Sequence, residues 1–485
     1  MKAMKYTSFL VVLALFASCA KNPVTGKRQL AISEEQEISL GQSYDPQVVA
    51  SMGVYEDQQL QAFLTRTGMQ MAKESHRPNL NWTFRIVDSD VVNAFAVPGG
   101  YVYFTRGILA HFNNEAEFAG VLGHEIGHVT ARHTAAQMRK QQLAQVGLIA
   151  GAVASSTVRN NFDQVNQGMQ LLFLKFGRDA EEQSDALGVE YSSEQGFDAR
   201  EMAGFFQTIH RIQVDAGVSV PTFLSTHPDP VNREERVMQL AGEWQQKLPG
   251  EQDKVNREGY LQMIDGLVYG PDPRQGFTEN GKFYHPELRF QFDVPRGWNL
   301  INSPQQVQIG SPEGDAAVIF TLAQGSSPEA AAREWAQQNQ MQPSTGGATT
   351  VNGLSAYVVE GVTVPGQQQS GNQPQLAYRA TFVSYNGNIY NFTEIALATV
   401  ARQRAQALGQ AVGSFQSLSD QRLLNRQPER IQIQTVTSPT TLRAYLKQAG
   451  VPDDRLSELA ILNGMELNER LAAGSMVKTV RRGGA

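Results

Sequence analysis

The sequence predicts an α+β protein: a mainly helical first half built around a small β-sheet, then a strand-rich half, then a small mixed unit at the end. Three features carry that expectation. Apolar residues recur at helical spacing along residues 57–74 (Leu60, Phe63, Leu64, Met69, Met71) and around residues 121–133 (Phe118, Val121, Leu122, Val129). Between these stretches WTFRIVDS alternates apolar and polar residues, and VVNAFAVPGGYVYFTRGIL reads as two short strands turning at Pro98-Gly99-Gly100. Beyond residue 284, segments such as LRFQFDVPRGWNLI, AAVIFTLA, SAYVVEGVTV and QLAYRATFVSYNG alternate at strand spacing.

At 485 residues the chain exceeds one ordinary domain. The expected organisation is a signal peptide (residues 1–18), a tether (19–32), a largely helical domain (33–268), a Pro- and Gly-rich linker (269–284), an α+β accessory domain (285–420) and a terminal unit (430–482). A formal net charge of −6, with no dense Lys/Arg cluster before the last few residues, excludes a nucleic-acid surface.

Taken in order, MKAMKYTSFLVVLALFASCA has two lysines, a short apolar core and small residues before Cys19, the pattern of a secretory signal rather than a spanning helix. Cys19 is the only cysteine, so no internal disulfide forms. Phe16-Ala17-Ser18-Cys19 resembles a bacterial lipobox, with Phe16 where leucine is usual. That resemblance implies a diacylated Cys19 as mature N-terminus. With Ala20 rather than aspartate next, it implies anchoring to the outer membrane, facing the periplasm; without lipidation the protein would be secreted. NPVTGKRQL then reads as extended chain, and Ser33 caps a helix with Glu34, Glu35 and Glu37 in its early turns.

In the strand region, Asn93, Ala94 and Phe95 form a candidate edge strand beside which an extended peptide could pair; an interior hairpin is the alternative. Residues 142–156 are apolar and rich in Gly and Ala, too short to span a bilayer and suited to a buried or peripheral helix. Residues 160–168 read as a polar loop, and residues 169–196 as a second amphipathic helix.

The chemistry concentrates in VLGHEIGHVTARH. Residues four apart on a helix share a face, so His124 and His128 can aim their imidazoles at one point. Glu125, beside the first, can reach a water on a metal without binding the metal itself, the placement of a general base. Asn113 or Asn114 offers the N-cap. A catalytic zinc needs a third protein ligand. The three-histidine arrangement fails because Thr134 and Ala131 stand where its third His and its Gly would be. His133, about 100° around a continued helix, reads as supporting or surface. The other source is a carboxylate from a separate helix: RDAEEQSD supplies Glu181, Glu182 and Asp185, with Glu181 and Asp185 on one face. One can bind the metal while the other orients a ligand imidazole.

HEIGH followed some fifty residues later by RDAEEQSDALG resembles the zinc metalloproteases that include the CaaX prenyl proteases, the HtpX membrane proteases and the periplasmic BepA-like proteases. The resemblance covers about residues 27–266. It implies a zincin-type domain holding one Zn2+ per chain through His124, His128 and Glu181, with Asp185 supporting and Glu125 as base. NAFAVPGG matches the strand beside the active site, and STHPDPVNR places His227 and Arg233 near the zinc. His227 would either donate to the oxyanion or fill the open zinc position at rest. The chain lacks the membrane spans of the integral members and the 34-residue helical repeat that follows in BepA.

The accessory region, with helices expected at residues 327–340 and 400–414, is similar to the PsbP/Mog1-like fold in strand order and the VPRGW segment. The last unit, read as strand, helix, Leu-Asn-Gly, helix, strand, resembles a degenerate LysM module and implies peptidoglycan or protein contact. Together these readings lead to a periplasmic zinc endopeptidase acting on unfolded or misassembled envelope proteins through a Glu-activated water on zinc. The competing reading is an assembly factor or chaperone for outer-membrane clients in which metal is structural or regulatory. A glycan hydrolase lacks a carboxylate pair in a sugar-site context.

Overall fold

The hydroxyl and backbone of Ser33 begin the first long helix as expected. Its Oγ accepts from Gln36 N–H while Gln36 Oε1 accepts from Ser33 N–H, a reciprocal capping box that starts α1 (Glu34–Met52). The computed structural model describes residues 19–140, 176–215, 223, 226–228, 232–248, 250, 253–339, 341–363 and 375–482. The signal peptide, the apolar stretch 142–156 and the polar loop 160–168 lie outside the described residues. No helix among those described is long and apolar enough to cross a membrane.

The described chain forms two units, one holding the residues up to Gly270 together with Glu429–Arg482, the other Pro271–Pro428. In the first unit, residues 19–32 are not a free tether. Strand β1 (Cys19–Lys21) pairs antiparallel with β2 (Arg28–Leu30), and Asn22 Oδ1 closes the turn by accepting from Val24 and Thr25 N–H. Asn22 Nδ2 and Gln29 Nε2 both donate to Ala131 O, which ties this hairpin to the far end of the HEIGH helix.

After α1 come α2 (Gln58–Glu74), capped by Asp57, and strands β3 (Thr83–Val87), β4 (Ala94–Val97) and β5 (Tyr101–Thr105). The sheet order is β3-β5-β4, with β3 parallel and β4 antiparallel to β5, so β4 is an edge strand. Then follow α3 (Arg106–His111), α4 (Glu115–Thr130), α5 (Arg178–Glu194), α6 (Glu201–Asp215), α7 (Arg233–Lys247), α8 (Arg257–Met263) and β6 (Val268–Tyr269). Every residue of α4 is buried, and Phe118 on it meets Phe63, Phe104 and Phe112 in an aromatic core. Apolar flanks without proline made that helix predictable; burial on all sides explains why its apolar residues exceed one stripe.

Residues 269–284, expected to be a linker, are structured: Tyr269 ends β6 of the first unit, and the second unit begins at Pro271. Strands β7 (Phe277–Glu279), β8 (Lys282–His285) and β9 (Phe290–Asp293) form a small sheet that β17 (Gln416–Ser417) completes. The main sheet is antiparallel, in the order β10 (Asn299–Asn302), β11 (Gln306–Gly310), β12 (Ala316–Ala323), β16 (Asn388–Leu397), β15 (Leu376–Tyr385), β14 (Leu354–Val362), β13 (Thr345–Val351). One face packs Phe320 and Phe392 on Phe290, Phe292 and Phe415, beneath α10 (Ala401–Gly413). The other packs Phe382 on Ala331, Ala332 and Trp335 of α9 (Pro328–Gln338). A short helix α11 (Gln421–Leu424) precedes the return to the first unit.

The last segment contains β18 (Glu429–Thr435), β19 (Thr440–Thr441), α12 (Leu442–Gln448), α13 (Leu456–Leu462), β20 (Arg470–Leu471) and β21 (Met476–Arg482). Leu462-Asn463-Gly464 does not separate the two helices, as the sequence suggested; it ends the second, where Gly464 takes a φ of 63°. The segment has its own small apolar core but shares a sheet with the first unit, in the order β21-β18-β6. Lys478 is fully buried, and its Nζ donates to Ala110 O, Phe112 O and Leu462 O at 2.8, 2.7 and 2.9 Å.

Candidate metal centre

Asn114 Oδ1 accepts from Glu117 N–H and so starts α4 one residue after the other candidate cap. Two turns later His124 and His128 project from one side. What faces them is α5, and glycine decides how close it comes. A Cβ on Gly188 would lie 2.9 Å from Gly120 O and 3.1 Å from His124 N, and one on Gly123 would lie 3.0 Å from Gly188 O. The two helices therefore touch backbone to backbone along Gly120, Gly123 and Gly188, which brings the carboxylates of α5 to the imidazoles of α4.

Four buried groups converge there: His124, His128, Glu181 and His227 offer ligand atoms within 4.8 Å of one another, the one such cluster among the described residues. His128 Nε2 lies 3.0 Å from His124 Nε2 and 3.4 Å from Glu181 Oε1. His227 Nδ1 lies 3.2 Å from Glu181 Oε1 and 3.3 Å from His124 Nε2. Glu181 Oε2 and both oxygens of Glu125 have no hydrogen-bond partner despite full burial. Several lone pairs thus face one another with too few protons to share, and such a set is balanced by a cation. Two imidazoles and a carboxylate are the donor types that zinc takes in catalytic sites.

The charges follow from these distances. Burial raises the pKa of Glu125, against the pull of His227 and His124. Burial opposes ionisation of Glu181 too, but His227 and His128 outweigh it and hold that carboxyl well below the usual range. Burial alone dominates His128, which is pushed well down. For His227 burial is the largest influence, yet Glu181 and Glu125 overcome it and the net direction is up.

Around this cluster, Asp185 Oδ1 lies 2.9 Å from His124 Nδ1, and Arg233 grips both Asp185 oxygens at 2.9 and 2.7 Å. Arg233 also stacks over Phe206 at 3.8 Å. Glu182 faces outward to Arg236 and takes no part. His227 turns its Nε2 toward Glu125 Oε1 at 3.5 Å, with Phe223 stacked on its ring and Phe176 tilted against that of His128. The structure thus gathers His124, Glu125, His128, Glu181, Asp185, His227 and Arg233 at one point. Asn93, Ala94 and Phe95 lie at the β4 edge, but Asn93 turns its backbone inward, exchanging bonds with Thr105. By strand alternation the outward-facing backbone groups belong to Ala94 and Ala96, not to Asn93 or Phe95.

Sequence reasoning undervalued His133. It assumed that the helix continues, whereas α4 ends at Thr130 and Arg132 adopts a φ of 61°. That left-handed residue swings the chain back, and His133 is buried with Nδ1 3.1 Å from His128 Nδ1. Phe176 and Phe223, isolated from any motif, carried no signal.

Residues 58–241, which include every member of the cluster, match Peptidase family M48. The chain is 30% identical over 210 residues to the beta-barrel assembly-enhancing protease of Yersinia pestis, a match covering 42% of this chain and 43% of that protein. It is 31% identical over 191 residues to the mitochondrial metalloendopeptidase OMA1 of Arabidopsis thaliana, covering 38% of this chain and 37% of that one. The match spans less than half the length of these curated relatives. Among solved structures, cyanobacterial PsbP from Synechocystis aligns with 28% of this chain and 91% of its own, at 13% identity and a TM-score of 0.24.

Proposed function

We propose that this chain, whose residues 58–241 match Peptidase family M48, is a zinc-dependent endopeptidase. His124, His128 and Glu181 would hold one zinc ion. Bound there, zinc supplies Lewis acidity to the scissile carbonyl and to the attacking water. Glu125 takes the proton of that water and returns it to the leaving amine. The observation that carries this reading is Glu125 itself, fully buried at the ligand cluster with both oxygens free of hydrogen-bond partners. A structural metal site needs no such base beside its first ligand, so the same observation disfavours the assembly-factor reading.

Arg233 and Asp185 act through His124, whose Nδ1 faces the carboxylate they share. Of the two roles weighed for His227, joining the residues that would hold the metal at rest has the better support, since its Nδ1 faces Glu181 and His124 and its Nε2 faces the base. An extended peptide would pair with the β4 edge through Ala94 and Ala96. The name of the Yersinia pestis relative supports a protease that acts in beta-barrel assembly, and so substrates among unfolded or misassembled envelope proteins; the secretory pattern before Cys19 supports a periplasmic enzyme, lipid-anchored at the outer membrane. Strand order supports a PsbP/Mog1-like reading of the second unit and a LysM-like reading of residues 429–482.

The test is Glu125→Gln in the full chain, with zinc content and cleavage of an unfolded protein measured together. Retained zinc with cleavage reduced by about 100-fold or more is expected. Unchanged cleavage would refute the mechanism.

A further inference from the structure

We infer that His133 is a positioning residue, which accepts the Nδ1–H of His128 and so fixes the tautomer that leaves His128 Nε2 free for the metal. The inference rests on the reading of His128 as a ligand. Its Nε2 is the atom that faces His124 and Glu181, at 3.0 and 3.4 Å, so the ring proton must sit on Nδ1. That Nδ1 lies 3.1 Å from His133 Nδ1, which can accept only if His133 carries its own proton on Nε2. The far side of the ring meets this requirement: His133 Nε2 lies 3.0 Å from Gln183 Oε1, an acceptor.

Proton direction is therefore consistent along the whole chain of contacts, from His128 to His133 to Gln183. Reversing it would place an N–H of His128 inside the ligand cluster and leave the Gln183 carbonyl facing a lone pair. Gln183 belongs to α5, the helix that carries Glu181, so one element supplies a ligand and also fixes the orientation of another.

The backbone supports a dedicated arrangement. His133 reaches His128 only because Arg132 adopts a positive φ, a conformation that strains a non-glycine residue. Arg132 is held in it by bonds from Nε to Glu37 Oε2 and from Nη2 to Ile32 O, both 2.8 Å. The two histidines of HEIGH thus have unlike partners. His124 faces a carboxylate, Asp185, whereas His128 faces a neutral imidazole.

The test measures zinc affinity of the full chain by competition with a chromophoric chelator, and the visible spectrum of the cobalt-substituted protein, for His133→Leu, His133→Asn and the reference His128→Ala. His133→Leu should weaken zinc binding by about 10- to 100-fold and shift the cobalt bands. His133→Asn, whose Oδ1 replaces the accepting nitrogen, should restore both toward wild type. Wild-type affinity in the leucine variant, or asparagine as weak as leucine, would overturn the inference, because packing alone would then explain the residue. His128→Ala binding zinc as tightly as wild type would instead remove the ligand assignment, and the inference with it. Should His133→Leu not fold, Gln183→Leu decides: weakened zinc binding supports the relay, and unchanged binding overturns it.

Discussion

Replacing Lys478 with methionine keeps the aliphatic stem and deletes the ammonium that three buried carbonyls share. Two of them, Ala110 O and Phe112 O, end α3 and lead into α4; the third, Leu462 O, ends α13. Helix-terminal carbonyls have no intrahelical donor, so each loses its replacement partner in the variant. A carbonyl buried without a donor costs about 1–3 kcal/mol. Part of that sum is offset, since the ammonium no longer has to be desolvated. The carbonyls left behind are neutral, and burial already holds the Lys478 pKa well below its usual value, so the net loss is about 3 kcal/mol. In a body of this size each kcal/mol moves the melting temperature by about 2–4 °C, so a fall of about 10 °C is expected. Calorimetry of the full chain at fixed zinc measures it. A variant as stable as wild type, or more stable, would show that burying the charge costs as much as the three bonds return, and the coupling of the last segment to α4 would lose its argument.

Two further outcomes follow from single groups. Gly188→Ala places a methyl against Gly120 O and His124 N, so α4 and α5 must separate; a stability loss of about 1–3 kcal/mol is expected together with weaker zinc binding, and an unchanged metal affinity would count against the backbone seam. Glu394, buried in the second unit with Oε1 unpartnered, has its pKa pushed up to about 7 by burial. The folded state then binds more protons than the unfolded one between about pH 4.5 and 7, so stability is full below that window and falls as pH rises through it, by about 3 kcal/mol. Glu394→Gln should flatten that part of the urea-stability profile, and an unaltered slope would refute the assignment.

Much of the candidate site was legible because its determinants are local. Helical spacing alone aims His124 and His128 together, and Glu181 and Asp185 together. What spacing cannot supply is the distance between the two helices, and that distance is set by residues without side chains: Gly120, Gly123 and Gly188. His133 was undervalued for a related reason, since one positive φ at Arg132 cancels the helical extrapolation. Strands of the second unit were readable from alternation, but residues 269–284 looked like a linker because turns and two short strands have the same composition. The last segment was read as separate because nothing local to Lys478 reveals that two of its three acceptors lie more than 350 residues earlier.

The pairing of β6 with β18 has one more consequence. Tyr269, where the chain leaves the first unit, is the cross-strand partner of Glu429, where it returns. Partners in an antiparallel ladder stand about 5 Å apart, a gap that an ordinary tight turn bridges. Topologically, Pro271–Pro428 is a cassette spliced into a hairpin loop, and the first unit keeps its connectivity whether that loop holds a few residues or an entire α+β unit.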